Sequence, residues 1–177
     1  MNVEENVLSQ CLGDDFQRMP ELVQRAHQGR IRLRGTVSVR RGRGLGGMMA
    51  AIMRLPAANE HCAMTVTGEH LPDRMIWRRD FAGTRMESNF SKRGDHLVEA
   101  MGPLHLFLRP EVAGGCLHYR LVAAQVGPVR LPRWLTPRLT AWERERDGRY
   151  EFEVDIKLPL LGRLVRYGGL MTLEAAR

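Results

Sequence analysis

After Asn59 the chain becomes a series of short runs in which apolar and polar residues alternate, each closed by turn residues. No other feature limits the possible folds as much. The runs cover 62–68, 74–81, 84–91, 95–101, 104–109, 116–124, 139–146, 149–157 and 163–173. A period of two sends successive side chains to opposite faces of a strand. Arg93-Gly94-Asp95, Gly114-Gly115 and Asp147-Gly148 separate neighbouring runs, and Asp-Gly between alternating segments is a strong hairpin signal. One further strand precedes the series: Ile31, Leu33, Gly35, Val37 and Val39 alternate with Arg32, Arg34, Thr36, Ser38 and Arg40.

The register is clearest in Tyr150-Glu151-Phe152-Glu153-Val154-Asp155-Ile156-Lys157, with four apolar residues on one face and four charges on the other. The expected fold is therefore α+β and mainly antiparallel β. It is an up-and-down meander of about nine to ten strands, curled into a sheet or a small barrel whose closure removes exposed edges. Residues 1–28 read as short helices packed on the sheet. Val3, Val7, Leu8 and Cys11 share one face of the first, Leu22, Val23 and Ala26 mark the second, and Pro20 suits a first helical turn. A further helix is expected near 45–55, in Met48-Met49-Ala50-Ala51-Ile52-Met53-Arg54-Leu55, stopping before Pro56. A length of 177 residues suits one domain over 1–177, with a β-rich body at 30–173.

No run approaches the ~18 apolar residues of a membrane span, and the start is acidic at Glu4 and Glu5. Cys11, Cys62 and Cys116 are odd in number and lie far apart, so they read as reduced thiols. A cytoplasmic location is expected. The net charge of +7 comes almost wholly from arginine, since only Lys92 and Lys157 are lysines. Arginines alternating with apolar residues belong to a solvated strand face, and no nucleic-acid module is visible, so nucleic acid is not the expected partner.

The landmarks Leu12-Gly13, Phe16, Met19-Pro20, His27, Arg41-Gly42-Arg43-Gly44, Leu55-Pro56, Trp77-x-Arg79-x-Phe81-x-Gly83, Ser88 and Glu99-x-x-Gly102 come in order along the chain. Leu131-Pro132, Pro137, Gly162 and Tyr167-x-Gly169 follow. In order and spacing this set resembles the bacterial domain of unknown function 4166 over nearly the whole chain. The resemblance implies a domain found alone or behind a nucleotide-binding reductase or epimerase-like domain, which would make such a protein a partner. It supplies no catalytic residues.

Gly42-Arg43-Gly44-Leu45-Gly46-Gly47 satisfies G-x-G-x-x-G between a strand and a helix. The strands that follow join by hairpins, so no βαβ unit frames it and no dinucleotide is expected. It reads as a turn allowing close helix packing, or as an anion site formed by Arg40, Arg41, Arg43 and the helix start at Gly44. A second constellation follows from alternation. Trp77, Arg79 and Phe81 share one face, Met86, Ser88 and Phe90 another, and Leu97, Glu99 and Met101 a third. Each of three adjacent strands thus points one polar residue inward, and an inward charge requires a partner. Trp77, Arg79, Phe81, Ser88 and Glu99 form either a buried ion pair among apolar residues or a polar patch in a ligand cavity. Arg79 and Glu99 are expected to satisfy one another directly or through Ser88, and to lie within hydrogen-bonding reach.

The six histidines make no HxxxH or HxH pair, and Cys116 with His118 is the one metal-ligand spacing. Neither a metal nor a cofactor is assigned, and hydrolase and kinase motifs are absent. The expected function is a non-catalytic binding module for a small hydrophobic or amphipathic ligand, including an anionic one, with the 45–55 helix as its cap. Two alternatives stand beside it. One is an enzyme or enzyme accessory in which Arg79 holds a carboxylate or phosphate and Glu99 moves a proton; the other is a basic surface for nucleic acid or anionic lipid.

Overall fold

Each alternating run pairs with the next along the chain, and in this computed structural model, which describes residues 5–174, the series closes on itself. The strands are β1 (Arg30–Arg41), β2 (Asn59–His70), β3 (Met75–Phe81), β4 (Thr84–Arg93), β5 (His96–Met101) and β6 (Leu104–Ala113). They continue as β7 (Cys116–Val126), β8 (Val129–Arg130), β9 (Arg138–Arg146), β10 (Arg149–Leu158) and β11 (Gly162–Glu174). Around the sheet the order is β6-β5-β4-β3-β2-β1-β11-β10-β9-β7, and pairing of β6 with β7 completes a ten-stranded antiparallel barrel. The two-residue β8, which alternation does not announce, pairs with the end of β7.

The seams are unequal. First and last strands join over ten residue pairs, from Arg32 opposite Glu174 to Arg41 opposite Val165. By contrast β7 and β9 share only Cys116 to His118 opposite Arg144 to Trp142. Above that short ladder β7 turns to β8, and Ala124 accepts from the Leu131 amide instead of from β9.

The alternation sorts inside from outside as expected: Ile31, Leu33, Val37 and Val39 are buried while Arg32 and Arg34 face solvent. Val98, Ala123 and Leu164 are buried as well, next to inward neighbours, and among the outward charged residues described one departs. Asp155, on the outer face of β10, is buried because Arg163 clamps both its carboxylate oxygens at 2.8 and 3.0 Å and Lys157 lies 3.3 Å away. Burial pushes its pKa up, but these cations outweigh burial and hold the carboxyl below the usual range.

Helix α1 (Val7–Leu12), a 3₁₀ segment (Gly13–Arg18) and α2 (Glu21–Ala26) do more than pack on the sheet. The α1 helix touches β4, β5 and β6, and α2 touches β9 and β10 across the barrel, so the segment closes one end. Val7, Leu8, Phe16, Val23 and Ala26 are its buried face; Val3 lies outside the described residues. Asn6 caps α1 by accepting from the Leu8 and Ser9 amides, and its Nδ2 donates to the His27 carbonyl at 2.8 Å.

Helix α3 (Gly44–Ile52) lies at the opposite end, against β11, and stops earlier than its composition predicts, with Arg54 at φ 54°. A Cβ on Gly42 would stand 1.6 Å from the Arg163 carbonyl oxygen, and one on Gly46 2.6 Å from that of Leu161. The glycines therefore seat α3 on the β10–β11 turn. Helix α3 links two antiparallel strands, so the surroundings of a dinucleotide fingerprint are missing.

Candidate functional site in the barrel interior

Three strands deliver the polar centre. Trp77 and Arg79 on β3, Ser88 on β4 and Glu99 on β5 all point inward, and Trp77, Arg79 and Glu99 line a cavity of about 60 Å³ together with Met75, Met86 and Met101. Arg79 Nη1 donates to Ser88 Oγ at 2.7 Å, and its guanidinium lies 5.6 Å from the Trp77 ring centre. Glu99 Oε1 is 3.9 Å from Arg79 Nη2, which is an ion pair but not the expected hydrogen bond. Cross-strand spacing explains this, because β4 lies between β3 and β5 and its Ser88 takes the near position. Phe81 is buried beside this centre, edge-on to Tyr167 at 5.0 Å.

Burial works against a charge on Arg79, but Tyr167, Glu99, Glu143 and Tyr150 outweigh it and raise its pKa. The guanidinium stays charged. Burial, followed by the Glu143 charge, pushes the Tyr119 and Tyr150 phenols well above their ordinary range. Burial also raises Tyr167. All three remain protonated hydroxyls. Among the described residues the Tyr150 hydroxyl has no aligned hydrogen-bond partner, although the Glu143 carboxylate is near enough to bear on it.

A second cluster sits at the closed end, beyond what alternation placed there. His27, which follows α2, is 1 % exposed; its Nε2 lies 2.5 Å from Glu143 Oε2 and its ring stacks on Trp77 at 5.2 Å. His70 Nδ1 is 2.9 Å from the Gly29 carbonyl, and its Nε2 is 3.1 Å from Trp77 Nε1. A carbonyl only accepts and an indole N–H only donates, so His70 carries its proton on Nδ1. Burial, with the neighbouring His27, lowers its pKa to about 3.

The model of the family described as Domain of unknown function (DUF4166) matches residues 19–171. The chain belongs to this family. No curated protein and no solved structure matches the chain. Within the matched span lie all the polar residues of the cavity, His27 included.

Alternation located Trp77, Arg79, Phe81, Ser88 and Glu99 on the inner face but passed over His27, His70, Tyr119, Glu143, Tyr150 and Tyr167 as site residues. For Glu143 a signal existed, since Leu139, Ala141 and Glu143 alternate and all three line the cavity. The cap is also different from expectation: α3 contributes nothing to the lining, whereas the N-terminal segment contributes His27. Arg40, Arg41 and Arg43 line a separate open groove with Arg163 and Glu60, and Gly44 does not line it. Cys116 is half-buried, His118 is exposed, and among the described residues no group of three His, Cys, Asp or Glu side chains is placed to hold a metal.

Proposed function

We propose that the barrel is a binding module for a small amphipathic molecule whose oxygen-bearing head meets Arg79 and whose apolar part lies among Met75, Met86, Met101 and Leu139. One observation carries this reading. A guanidinium has five N–H donors, and in Arg79 a single one reaches an acceptor, Ser88, among the described residues. Arg79 and Glu99 are 12 % and 13 % exposed, so bulk water does not serve the remaining donors freely. An acceptor such as a carboxylate or carbonyl oxygen would. A cavity of about 60 Å³ holds a functional group or a few waters, each needing ~10–15 Å³. A longer tail therefore requires the unbranched methionines to repack, which their three rotatable bonds allow.

The test is titration of the native protein with hexanoate and with hexanol, read by calorimetry and by tryptophan emission, to which Trp77 and Trp142 of the cavity lining contribute. Saturable hexanoate binding is expected, weakened about tenfold by Arg79→Met, with a smaller loss for Ser88→Ala. An unresponsive native protein, together with no small molecule retained in its native mass spectrum, would sink the reading.

The short His27–Glu143 contact in the same cavity favours a second reading, a proton-transfer enzyme or an accessory to a nucleotide-dependent reductase or epimerase. In it Glu143 and His27 take the role first assigned to Glu99. Exchange of ligand C–H for deuterium in heavy water, lost in Glu143→Gln, would support it over simple binding.

A further inference from the structure

Eleven large apolar side chains are exposed among the described residues, and nine of them lie at the α3 end of the barrel. Leu45, Met48, Ile52 and Met53 project from α3 and its end, Leu160 stands on the β10–β11 turn, and Trp134 leads into β9. The β10–β11 and β7–β9 connections are neighbours around the rim, and α3 packs on β11, so these residues form one arc. Leu160 is the most exposed of all at 88 %, and its φ is 65°. A left-handed backbone suits glycine and disfavours leucine. Arg54, Ala82 and Asp147 share this backbone at turns or a helix end, but among these described residues only Leu160 puts a large apolar side chain into solvent.

Charge follows the same end. Residues 40–60, 80–86, 126–139 and 155–163 carry ten arginines and lysines against three acids, Glu60, Asp80 and Asp155. That excess equals the whole net charge of +7. Arginines that alternation distributes over many strands thus gather their surplus at one rim, which includes the Arg40, Arg41 and Arg43 groove. The rest of the molecule is balanced. The barrel is also least sealed here, where β7 and β9 diverge beyond Cys116–His118.

We propose that the α3 end is a docking surface for an anionic lipid bilayer, with the apolar arc entering the headgroup–acyl boundary and the arginines meeting lipid phosphates. Apolar protrusions and surplus cations at the same end of the barrel match the two terms of interfacial binding, buried apolar area and attraction to anionic lipid. The outward strand faces carry solvent-exposed arginines such as Arg32, Arg34 and Arg78, which suit water and not acyl chains, so the proposed contact is peripheral. The proposal stands on the surface alone and does not depend on a ligand in the cavity.

The test is flotation of the native protein with vesicles of phosphatidylcholine, with and without ~30 mole per cent phosphatidylglycerol. Binding is expected only to the anionic vesicles, and it should fall about tenfold or more between ~50 and ~500 mM salt as the rim charges are screened. Leu160→Asp with Ile52→Asp should reduce binding at least about tenfold at an unchanged melting temperature. Leu71→Asp, an exposed apolar residue at the other end, should change nothing. Leu160→Gly relieves the backbone and should leave the melting temperature equal or higher while weakening vesicle binding, a pair of effects that a purely structural residue would not show. Arg79→Met combined with Glu99→Leu, which removes both charges of the cavity together, should float like the native protein, which separates this surface from the cavity. Failure to bind anionic vesicles at low salt overturns the proposal, as does full binding by the double variant. Two further outcomes would also overturn it: a dimer dissociated by Leu160→Asp, or capture of duplex DNA in preference to vesicles.

Discussion

Removing Arg79 leaves Glu99 facing the interior with no cation within ion-pair distance among the described residues, and that stranded charge should govern the outcome. Arg79→Ala is expected to destabilise by about 3 kcal/mol in urea denaturation, and Arg79→Met with Glu99→Leu should recover much of the loss. Equal losses in the single and double variants would mean that packing against Trp77, not charge, holds Arg79 in place. These two residues were legible in the sequence because alternation along β3 and β5 fixes which way they point. His27 was not, because it follows α2 outside any alternating run and only the tertiary fold brings it onto Trp77. Glu143 was obscured by Arg144, Glu145 and Arg146, which make the end of its strand polar on both faces. His70 adds a pH dependence whose sign follows from its lowered pKa. The unfolded chain binds this proton below about pH 6.5 and the folded protein only near pH 3, so stability is complete above pH 6.5 and falls as pH drops through that window. The slope is on the order of 1.4 kcal/mol per pH unit for this one group. His70→Gln should flatten the fall in melting temperature between pH 6.5 and 4, and an unchanged slope would show that His70 is not its source.

At the scale of elements, α3 separates local propensity from tertiary fit. Alanine in place of a helical glycine ordinarily stabilises by about 1 kcal/mol. Gly46→Ala should do the reverse here, by about 1–3 kcal/mol, because the new methyl would lie 2.4 Å from the Arg163 carbonyl oxygen and 2.6 Å from that of Leu161. The sign of the change in thermal denaturation decides it. The same contact explains why Gly42-Arg43-Gly44-Leu45-Gly46-Gly47 fits a nucleotide motif in letters alone, since its glycines answer to a neighbouring turn. Sequence periodicity revealed that the N-terminal helices exist, yet their apolar faces are too short to say where they dock. Asn6 does part of that work by joining the start of α1 to the end of α2. Asn6→Ala removes both the cap and the bond to the His27 carbonyl and should cost about 1–2 kcal/mol, with faster amide exchange in residues 7–12. Unaltered exchange there would show that the helix is held by the barrel without its cap.

For the whole molecule, alternation and hairpin turns were enough to predict an up-and-down β architecture, but not which seam would be weak. Seam strength depends on how far two strands run together, and that is fixed by their shear around the barrel and not by any local pattern. Strand β9 pairs with β10 along its full length, from Arg138 to Arg146, yet meets β7 only at Trp142, Glu143 and Arg144. Its amides alternate in direction, so within 138–141 those aimed at β10 are bonded while those aimed at β7 have no partner strand. Ordered exchange between the two edges of one strand follows. In native-state hydrogen exchange the β7-facing amides of 138–141 should exchange orders of magnitude faster than the β10-facing ones. Amides along β1–β11 and β6–β7 should be protected nearly to the global limit. Leu139 and Ala141 line the cavity beside this opening, so the gap between β7 and β9 is the expected way in from the apolar rim to Arg79. Uniform protection across both edges of β9 would mean that the barrel is sealed there, and entry would then have to come from the end closed by His27.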